Sequence, residues 1–172
     1  MADPVHPGPS GPERACALGT ELFAQRMYAK AIAAFTEAID KGEDELQTRD
    51  SARGPGLHVS YANRSLCHME MRSYGLALAD ATKAVELKAD FRKGWYRRGA
   101  SHLALGKIAE AEQDFKRLCE LAPCDSSARE RLAYCRKQLE KQAFKAVIAD
   151  CKAQLASEAA VSPPKPPPAS GP

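Results

Sequence analysis

Apolar side chains recur three or four residues apart over most of the chain, with charged side chains between them. Ile108, Ala111 and Phe115 show this spacing, which places side chains on one face of an α-helix. Aromatic residues make up only 6% of the chain and alanine is abundant, which favours closely packed helices over a β-sandwich. The pattern therefore predicts an all-α fold, with helices at about 13–26, 28–41, 58–72, 75–88, 91–105 and 108–121.

The helical pattern repeats with a period of 34 residues. When the sequence is shifted by 34, Tyr74 meets Ile108 and Ala77 meets Ala111. A third copy begins at Tyr28, which is 46 residues before Tyr74. Helix pairs of this length, with small residues where the two helices approach, resemble the tetratricopeptide (TPR) repeat. The resemblance implies three repeats of antiparallel helix pairs in a right-handed superhelix, followed by a C-terminal capping helix.

Turn-forming and charged segments divide the chain into regions. We predict a disordered N-terminus at 1–12, a TPR domain at 13–157 and a proline-rich disordered tail at 158–172. Within the domain we expect repeats at about 13–41, 58–88 and 91–121, an inserted surface loop at 42–57 and the capping helix at 126–157.

The capping helix carries signals of its own. Ser127 and Glu130 have the spacing of a capping box, so we expect the helix to begin there. The helix is long and basic, and one apolar stripe runs along it. The stripe is formed by Leu132, Cys135, Leu139, Ala143, Val147, Cys151 and Leu155.

Charge and cysteine usage bear on partners and location. Residues 1–90 carry 10 Lys/Arg against 13 Asp/Glu, whereas residues 91–145 carry 13 against 7, so the second segment is basic. The six cysteines form no C-x-x-C pair and no Cys/His cluster with zinc spacing, so we expect reduced thiols and no metal or other cofactor. The segment MADPVHPGPSGPER lacks the apolar core of a signal peptide, and we expect a cytoplasmic or nuclear protein without a membrane span.

Two basic residues of the third repeat, Lys93 and Arg97, are four residues apart and share a helix face. Asn63 lies one period before Arg97, so the stack is expected to set an amide beside a guanidinium. Two cations and an amide in a concave groove favour carboxylates, through charge-assisted and bidentate hydrogen bonds. Arg98 is rotated by about 100° from Arg97 and is expected to face solvent or the neighbouring helix pair.

Three segments resemble the carboxylate-clamp TPR domains of chaperone cofactors, including those of the protein phosphatase 5 family. The segments are NRSL (63–66), YGLALADATKAVEL (74–87) and KGWYRRGAS (93–101). The resemblance covers roughly residues 13–150. It implies a co-chaperone or adaptor whose groove binds the acidic C-terminal tail, Glu-Glu-Val-Asp, of heat-shock 90 or 70 chaperones.

Carried over by motif position, the resemblance makes Asn63, Lys93 and Arg97 three of five clamp residues. The family has a lysine and an asparagine in its first repeat where this chain has Cys16 and Thr20, so the clamp is partly degenerate. Thr20 keeps a hydroxyl that could donate a hydrogen bond to the peptide carboxylate, whereas Cys16 supplies no cation. Three residues are expected to line the groove beside the clamp: Phe23, Leu66 and Cys16.

Two other functions fit parts of the sequence. One is a targeting or regulatory fragment of a phosphatase 5-like enzyme. The metallophosphatase motifs Gly-Asp-x-His-Gly, Gly-Asp-x-Val-Asp-Arg-Gly and Gly-Asn-His-Glu are missing from the sequence, so we expect no catalysis. The other is a nucleic-acid-binding repeat, but the basic residues alternate with glutamate and no RNA-binding aromatic motif is present. His68 and His102 share one repeat position, where we expect packing between helices.

Overall fold

A computed structural model of the chain describes residues 10–48 and 56–161. These residues form helices joined by short turns, with no strand among them. The all-α fold expected from the sequence is therefore confirmed. The helices are α1 (Gly11–Ala24), α2 (Tyr28–Thr48), α3 (Leu57–Glu70), α4 (Tyr74–Leu87), α5 (Arg92–Ala104), α6 (Ile108–Leu121) and α7 (Ser126–Val161).

Consecutive helices pair into three hairpins, which we call repeat 1 (α1 and α2), repeat 2 (α3 and α4) and repeat 3 (α5 and α6). Turns of a few residues join the two helices of each hairpin, so each pair is antiparallel. The second helix of one repeat packs on the first helix of the next, α2 on α3 and α4 on α5. The first helices also contact one another in order, α1 with α3 and α3 with α5, and they form one face of the stack.

Within the described part of the chain, no helix combines the length and the apolar character needed to cross a membrane.

Complementary side-chain sizes hold the hairpins together. In repeats 1 and 3 the two helices meet at a glycine and a phenylalanine. A Cβ added to Gly19 would lie 2.7 Å from the ring of Phe35, and one added to Gly99 would lie 2.9 Å from the ring of Phe115. The equivalent residues of repeat 2 are both small and fully buried: Ser65 and Ala81. Because interiors are close-packed, these pairs fix how closely the two helices of each hairpin approach.

The turn inside each hairpin uses one left-handed residue at an equivalent position. Arg26 and Arg72 both have φ of 59°, and Gly106 has φ of 74°. A left-handed residue ends a helix and lets the chain reverse, and only glycine adopts it without cost. The first two turns therefore carry a small strain that the third avoids.

Helix α2 is longer than predicted. The sequence placed its end near residue 41 and a loop at 42–57, but the helix continues to Thr48. The added turns contact α3: the hydroxyl of Tyr61 donates to Oε1 of Glu43 at 2.6 Å, and Gly42 is buried against Leu57. These contacts form only in the folded chain, so local sequence patterns did not reveal them.

The N-terminus of α1 also lies earlier than predicted. Gly11 and Pro12, assigned to a disordered segment, form its first turn. Ser10 and Glu13 make a capping box, in which Ser10 N–H donates to Glu13 Oε2 at 2.9 Å and Glu13 N–H donates to Ser10 Oγ at 3.4 Å. The remainder of that predicted segment, 1–9, and residues 162–172 of the predicted tail lie outside the described residues.

The molecule has two units, divided between Cys135 and Arg136. In the first unit, α7 begins one residue before the predicted capping box, and the carboxylate of Asp125 accepts a hydrogen bond from Ala128 N–H at 3.1 Å. The predicted Ser127–Glu130 box is therefore wrong, because Asp125 already occupies the capping position and Ser127 lies inside the helix.

The predicted stripe of α7 is buried only in part. In the first unit, Cys135 is fully buried and Leu132 packs beside it. In the second unit, Val147 and Leu155 are 60% and 65% exposed.

Candidate functional site

The basic residues predicted on the third repeat line one cavity. Lys93 and Arg97, one turn apart on α5, open into a space of about 280 Å³. Tyr96 adds a phenol and Leu118 of α6 adds an apolar wall. A third cation, Arg92, lies at the start of the same helix. The cavity is therefore basic, small and partly apolar, which suits a side chain or a chain terminus that carries a carboxylate.

Arg97 is the cation most withdrawn from solvent at this site. Burial lowers the pKa of its guanidinium, while the nearby Tyr96, Cys67 and Glu70 oppose that shift. Among the described residues, no ion pair or side-chain hydrogen bond satisfies this guanidinium, nor the ammonium group of exposed Lys93. A guanidinium stays charged in proteins, and a half-buried charge without a close partner is costly. An incoming anion would remove that cost.

Asn63 lies on the neighbouring helix α3, half-buried, and outside the set of residues that line the cavity. Its position relative to Arg97 follows from Cys67, which is one turn further along α3. Arg97 lies close enough to Cys67 for the two groups to interact electrostatically, although burial dominates and raises the pKa of the Cys67 thiol to about 11. Arg97 therefore reaches towards the side of α3 that carries Asn63. We call Asn63, Lys93 and Arg97 the anion site. Its assignment as a peptide clamp stays a prediction.

The predicted site residues of α1 are engaged differently. Thr20 is exposed, and its hydroxyl donates to the carbonyl oxygen of Cys16 in its own helix at 3.0 Å. The donor that the sequence offered to a ligand is thus already used. Cys16 is half-buried and packs with Phe23 against a core cluster of repeat 1 and α3. Phe23 also contacts Tyr28, with ring centroids 5.4 Å apart. The last predicted lining residue, Leu66, is half-buried on α3.

Asp125 is a cavity residue that sequence reasoning missed. Its carboxylate caps α7 and also lies in the wall of the basic cavity, so one acid faces the three cations there. The cap absorbs part of its hydrogen-bonding capacity. No signal in the sequence linked residue 125 to α5, because the contact depends on how α7 packs against the third repeat.

Arg98 lies neither in solvent nor against the neighbouring helix pair, and that expectation is wrong. It turns inward to its own hairpin, where Nε and Nη2 donate to Oδ1 of Asp114 at 3.0 and 2.6 Å. Its guanidinium also stacks over the ring of Trp95 at 4.5 Å. His102 approaches the other oxygen of Asp114 at 3.0 Å, so this histidine lies between the helices, as expected, but makes a polar contact there.

Comparison with known proteins places these features in a family of helical repeats. Residues 92–123 match the tetratricopeptide repeat family. Serine/threonine-protein phosphatase 5 of Mus musculus is 35% identical over 129 residues, which cover 75% of this chain and 23% of the phosphatase. The chain thus spans about a quarter of the length of that relative.

Two solved structures share the fold over nearly their whole length. The first TPR domain of Spaghetti (RPAP3), bound to the HSP90 peptide SRMEEVD, is 27% identical with a TM-score of 0.65 and covers 76% of this chain and 96% of its own. The second TPR domain of human RPAP3, in complex with the HSP70 peptide SGPTIEEVD, is 28% identical with a TM-score of 0.61 and covers 73% of this chain and 98% of its own. These likenesses confirm the resemblance predicted from the sequence.

Proposed function

We propose that this chain, a tetratricopeptide-repeat domain by sequence and by fold, is a non-catalytic module that binds acidic C-terminal peptides at the anion site. The observation that carries the proposal is the half-buried guanidinium of Arg97, which shares a basic cavity with Lys93 and has no ion pair among the described residues. Charge-assisted hydrogen bonds from these cations to carboxylates are the strongest contacts that the site offers.

The chemistry divides between the two helices. Lys93 is an exposed point charge that attracts an incoming carboxylate, and Arg97 can hold one with two parallel N–H donors. Asn63 on α3 can add an amide hydrogen bond to the terminal carboxylate, which gives the peptide a direction. Leu118 and the ring of Tyr96 can contact the apolar part of a side chain in the same cavity.

The partner class follows from the comparisons. TPR domains of similar fold bind HSP90 and HSP70 peptides that end in Glu-Glu-Val-Asp, according to their descriptions. We infer that this chain takes the C-terminal tail of the same chaperones, as a co-chaperone or adaptor. The phosphatase activity of the mouse relative is not carried over, because its metallophosphatase motifs do not occur in the 172 residues.

The test is a titration of the peptide SRMEEVD against the full chain, by calorimetry or fluorescence anisotropy. We expect binding that weakens when the peptide's C-terminal carboxylate is replaced by an amide and when salt is raised. Arg97→Ala should lower the affinity by at least about tenfold, because a charge-assisted contact is lost. Its matched control is Lys116→Ala, which removes an exposed cation from α6.

Equal affinity for the acid and amide peptides would contradict the proposal, as would wild-type binding by Arg97→Ala. Circular dichroism of both variants shows whether helix content is kept, so that a loss of binding can be assigned to the site.

A further inference from the structure

Repeats 2 and 3 each contain a bidentate arginine–aspartate pair at equivalent positions. In repeat 2, Arg64 donates to Asp80 through Nε at 2.8 Å and through Nη2 at 2.7 Å. In repeat 3, Arg98 donates to Asp114 through Nε at 3.0 Å and through Nη2 at 2.6 Å. Both partners are separated from their counterparts by one period of 34 residues. Each pair joins the first helix of its hairpin to the second.

The pairs are withdrawn from water. The carboxylate side chains of Asp80 and Asp114 are 8% and 3% exposed, and the arginine side chains are 19% and 22% exposed. Such pairs often contribute little net stability, because removing two charges from water offsets their attraction. Their geometry is nonetheless restrictive, since a planar guanidinium meets a carboxylate in one orientation.

Each of these arginines directly follows a residue of the anion site. Arg64 follows Asn63 on α3, and Arg98 follows Arg97 on α5. Neighbouring residues on a helix point about 100° apart. An arginine fixed towards the second helix of its hairpin therefore fixes the rotation of its own helix. That rotation decides where the preceding residue points.

Repeat 1 serves as an internal comparison. Its equivalents of the arginine and the aspartate, 46 residues before Arg64 and Asp80, are Leu18 and Ala34. The residue before Leu18 is Ala17, which has no polar side-chain group. The repeat without a ligand at this position thus lacks the pair, although its hairpin packs through the same glycine–phenylalanine contact as repeat 3.

We propose that Arg64–Asp80 and Arg98–Asp114 are positioning pairs, which set the rotation of α3 and α5 so that Asn63 and Arg97 converge on one ligand carboxylate. This inference rests on the proposed function. The pairs themselves do not touch the ligand. They add precision to the site, which the hairpin contacts alone do not require.

The double variant Arg98→Met/Asp114→Leu tests the proposal, because apolar residues of similar size can replace a buried ion pair without loss of stability. We expect a thermal midpoint close to wild type together with affinity for SRMEEVD reduced about tenfold. The matched control is Arg117→Met/Glu120→Leu, which removes an exposed pair on α6 and should leave binding unchanged. Wild-type affinity in a stable Arg98→Met/Asp114→Leu protein would overturn the proposal.

Arg98→Lys decides the question if the double variant does not fold. It keeps the charge opposite Asp114 but loses the planar fork, so we expect a folded protein that binds the peptide less tightly. Unchanged affinity in this variant would overturn the proposal.

A second readout separates this proposal from the proposed function. If the wild-type chain does not bind the peptide, nuclear Overhauser contacts between the Arg97 Nε–H and side chains of α3 still report the direction of Arg97. We expect these contacts in the wild type and their loss in Arg98→Lys. Contacts that persist unchanged would show that the pair does not position Arg97.

Discussion

Repeats 1 and 3 pack in the same way but differ in the chemistry that they present on the face formed by the first helices. Both hairpins close through a glycine against a phenylalanine, Gly19 on Phe35 and Gly99 on Phe115. Repeat 3 then presents Lys93 and Arg97 in a basic cavity. Repeat 1 presents a threonine whose hydroxyl is bound to its own helix.

The difference teaches that fold and site depend on separate residues. Side-chain size at the helix crossing determines the hairpin, and repeat 1 shows that the hairpin forms without any buried ion pair. The anion site needs charged residues and, in our proposal, an ion pair beside them to fix their direction. The predictions below alter one of these two layers at a time.

The largest effect should come from breaking the buried pair in repeat 3. Asp114→Ala leaves Arg98 and His102 without their carboxylate in a site where that carboxylate is 3% exposed. We expect the free energy of unfolding to fall by about 3–5 kcal/mol, since an uncompensated charge stays buried. Urea denaturation measures it. The control Glu120→Ala breaks an exposed pair and should cost less than about 1 kcal/mol. Similar losses in both variants would contradict the distinction between buried and exposed pairs.

Restoring the first-repeat clamp residues should give the next largest effect, now on binding. Cys16→Lys/Thr20→Asn supplies a cation and an amide where repeat 1 has neither. One new charge-assisted contact is worth about 1.5–3 kcal/mol, so affinity for SRMEEVD should rise about tenfold or more. Calorimetry measures the gain. A lysine at 16 must extend out of a half-buried position, which long side chains can do. The single variant Thr20→Asn separates the amide from the cation, and no gain in either would show that repeat 1 lies outside the site.

The period of 34 and the helical spacing were enough to predict the hairpins and the pairing of Lys93 with Arg97. Both depend on local geometry, since residues four apart share a helix face whatever surrounds them. The extension of α2 to Thr48 was not predictable in this way, because the contact between Tyr61 and Glu43 joins residues from different helices.

The ion pairs show a limit of another kind. The sequence contains their signal, since the arginine, the histidine and the aspartate of repeat 2 all recur 34 residues later in repeat 3. Helix geometry placed Arg98 away from the direction of Arg97, but it left open which neighbour Arg98 would meet. Only the packing of α5 on α6 brings it to Asp114. The engaged hydroxyl of Thr20 likewise depends on a rotamer that no sequence pattern specifies.

A smaller effect is expected from crowding the hairpin contact that the repeats share. Gly99→Ala places a Cβ 2.9 Å from the ring of Phe115, and the ring must move. We expect a loss of about 1–3 kcal/mol in the free energy of unfolding. Gly75→Ala is the matched control, because its Cβ meets nothing within 4 Å on α4 and should stabilise the helix by up to about 1 kcal/mol. Thermal melts of both compare them. Destabilisation by Gly75→Ala, or none by Gly99→Ala, would contradict the size argument.

The last prediction concerns pH and separates repeat 2 from repeat 1. His68 lies beside Asp80, and burial lowers its pKa below the ordinary value of 6.5; Asp80 opposes that shift and Arg64 adds to it. Below pH 6.5 the unfolded chain therefore binds a proton that the folded chain resists, so stability should fall as the pH drops from 6.5 towards the folded-state pKa.

Repeat 1 has Leu22 at the position equivalent to His68. His68→Leu should flatten the acid side of the stability profile, measured by urea denaturation between pH 7.5 and 5.5. His58 also has a lowered pKa, caused by burial and by Lys88, so part of the slope should remain in the variant. A slope identical to that of the wild type would mean that the imidazole of His68 takes up protons equally in the folded and unfolded chains, and that the pair in repeat 2 does not exclude charge from its surroundings.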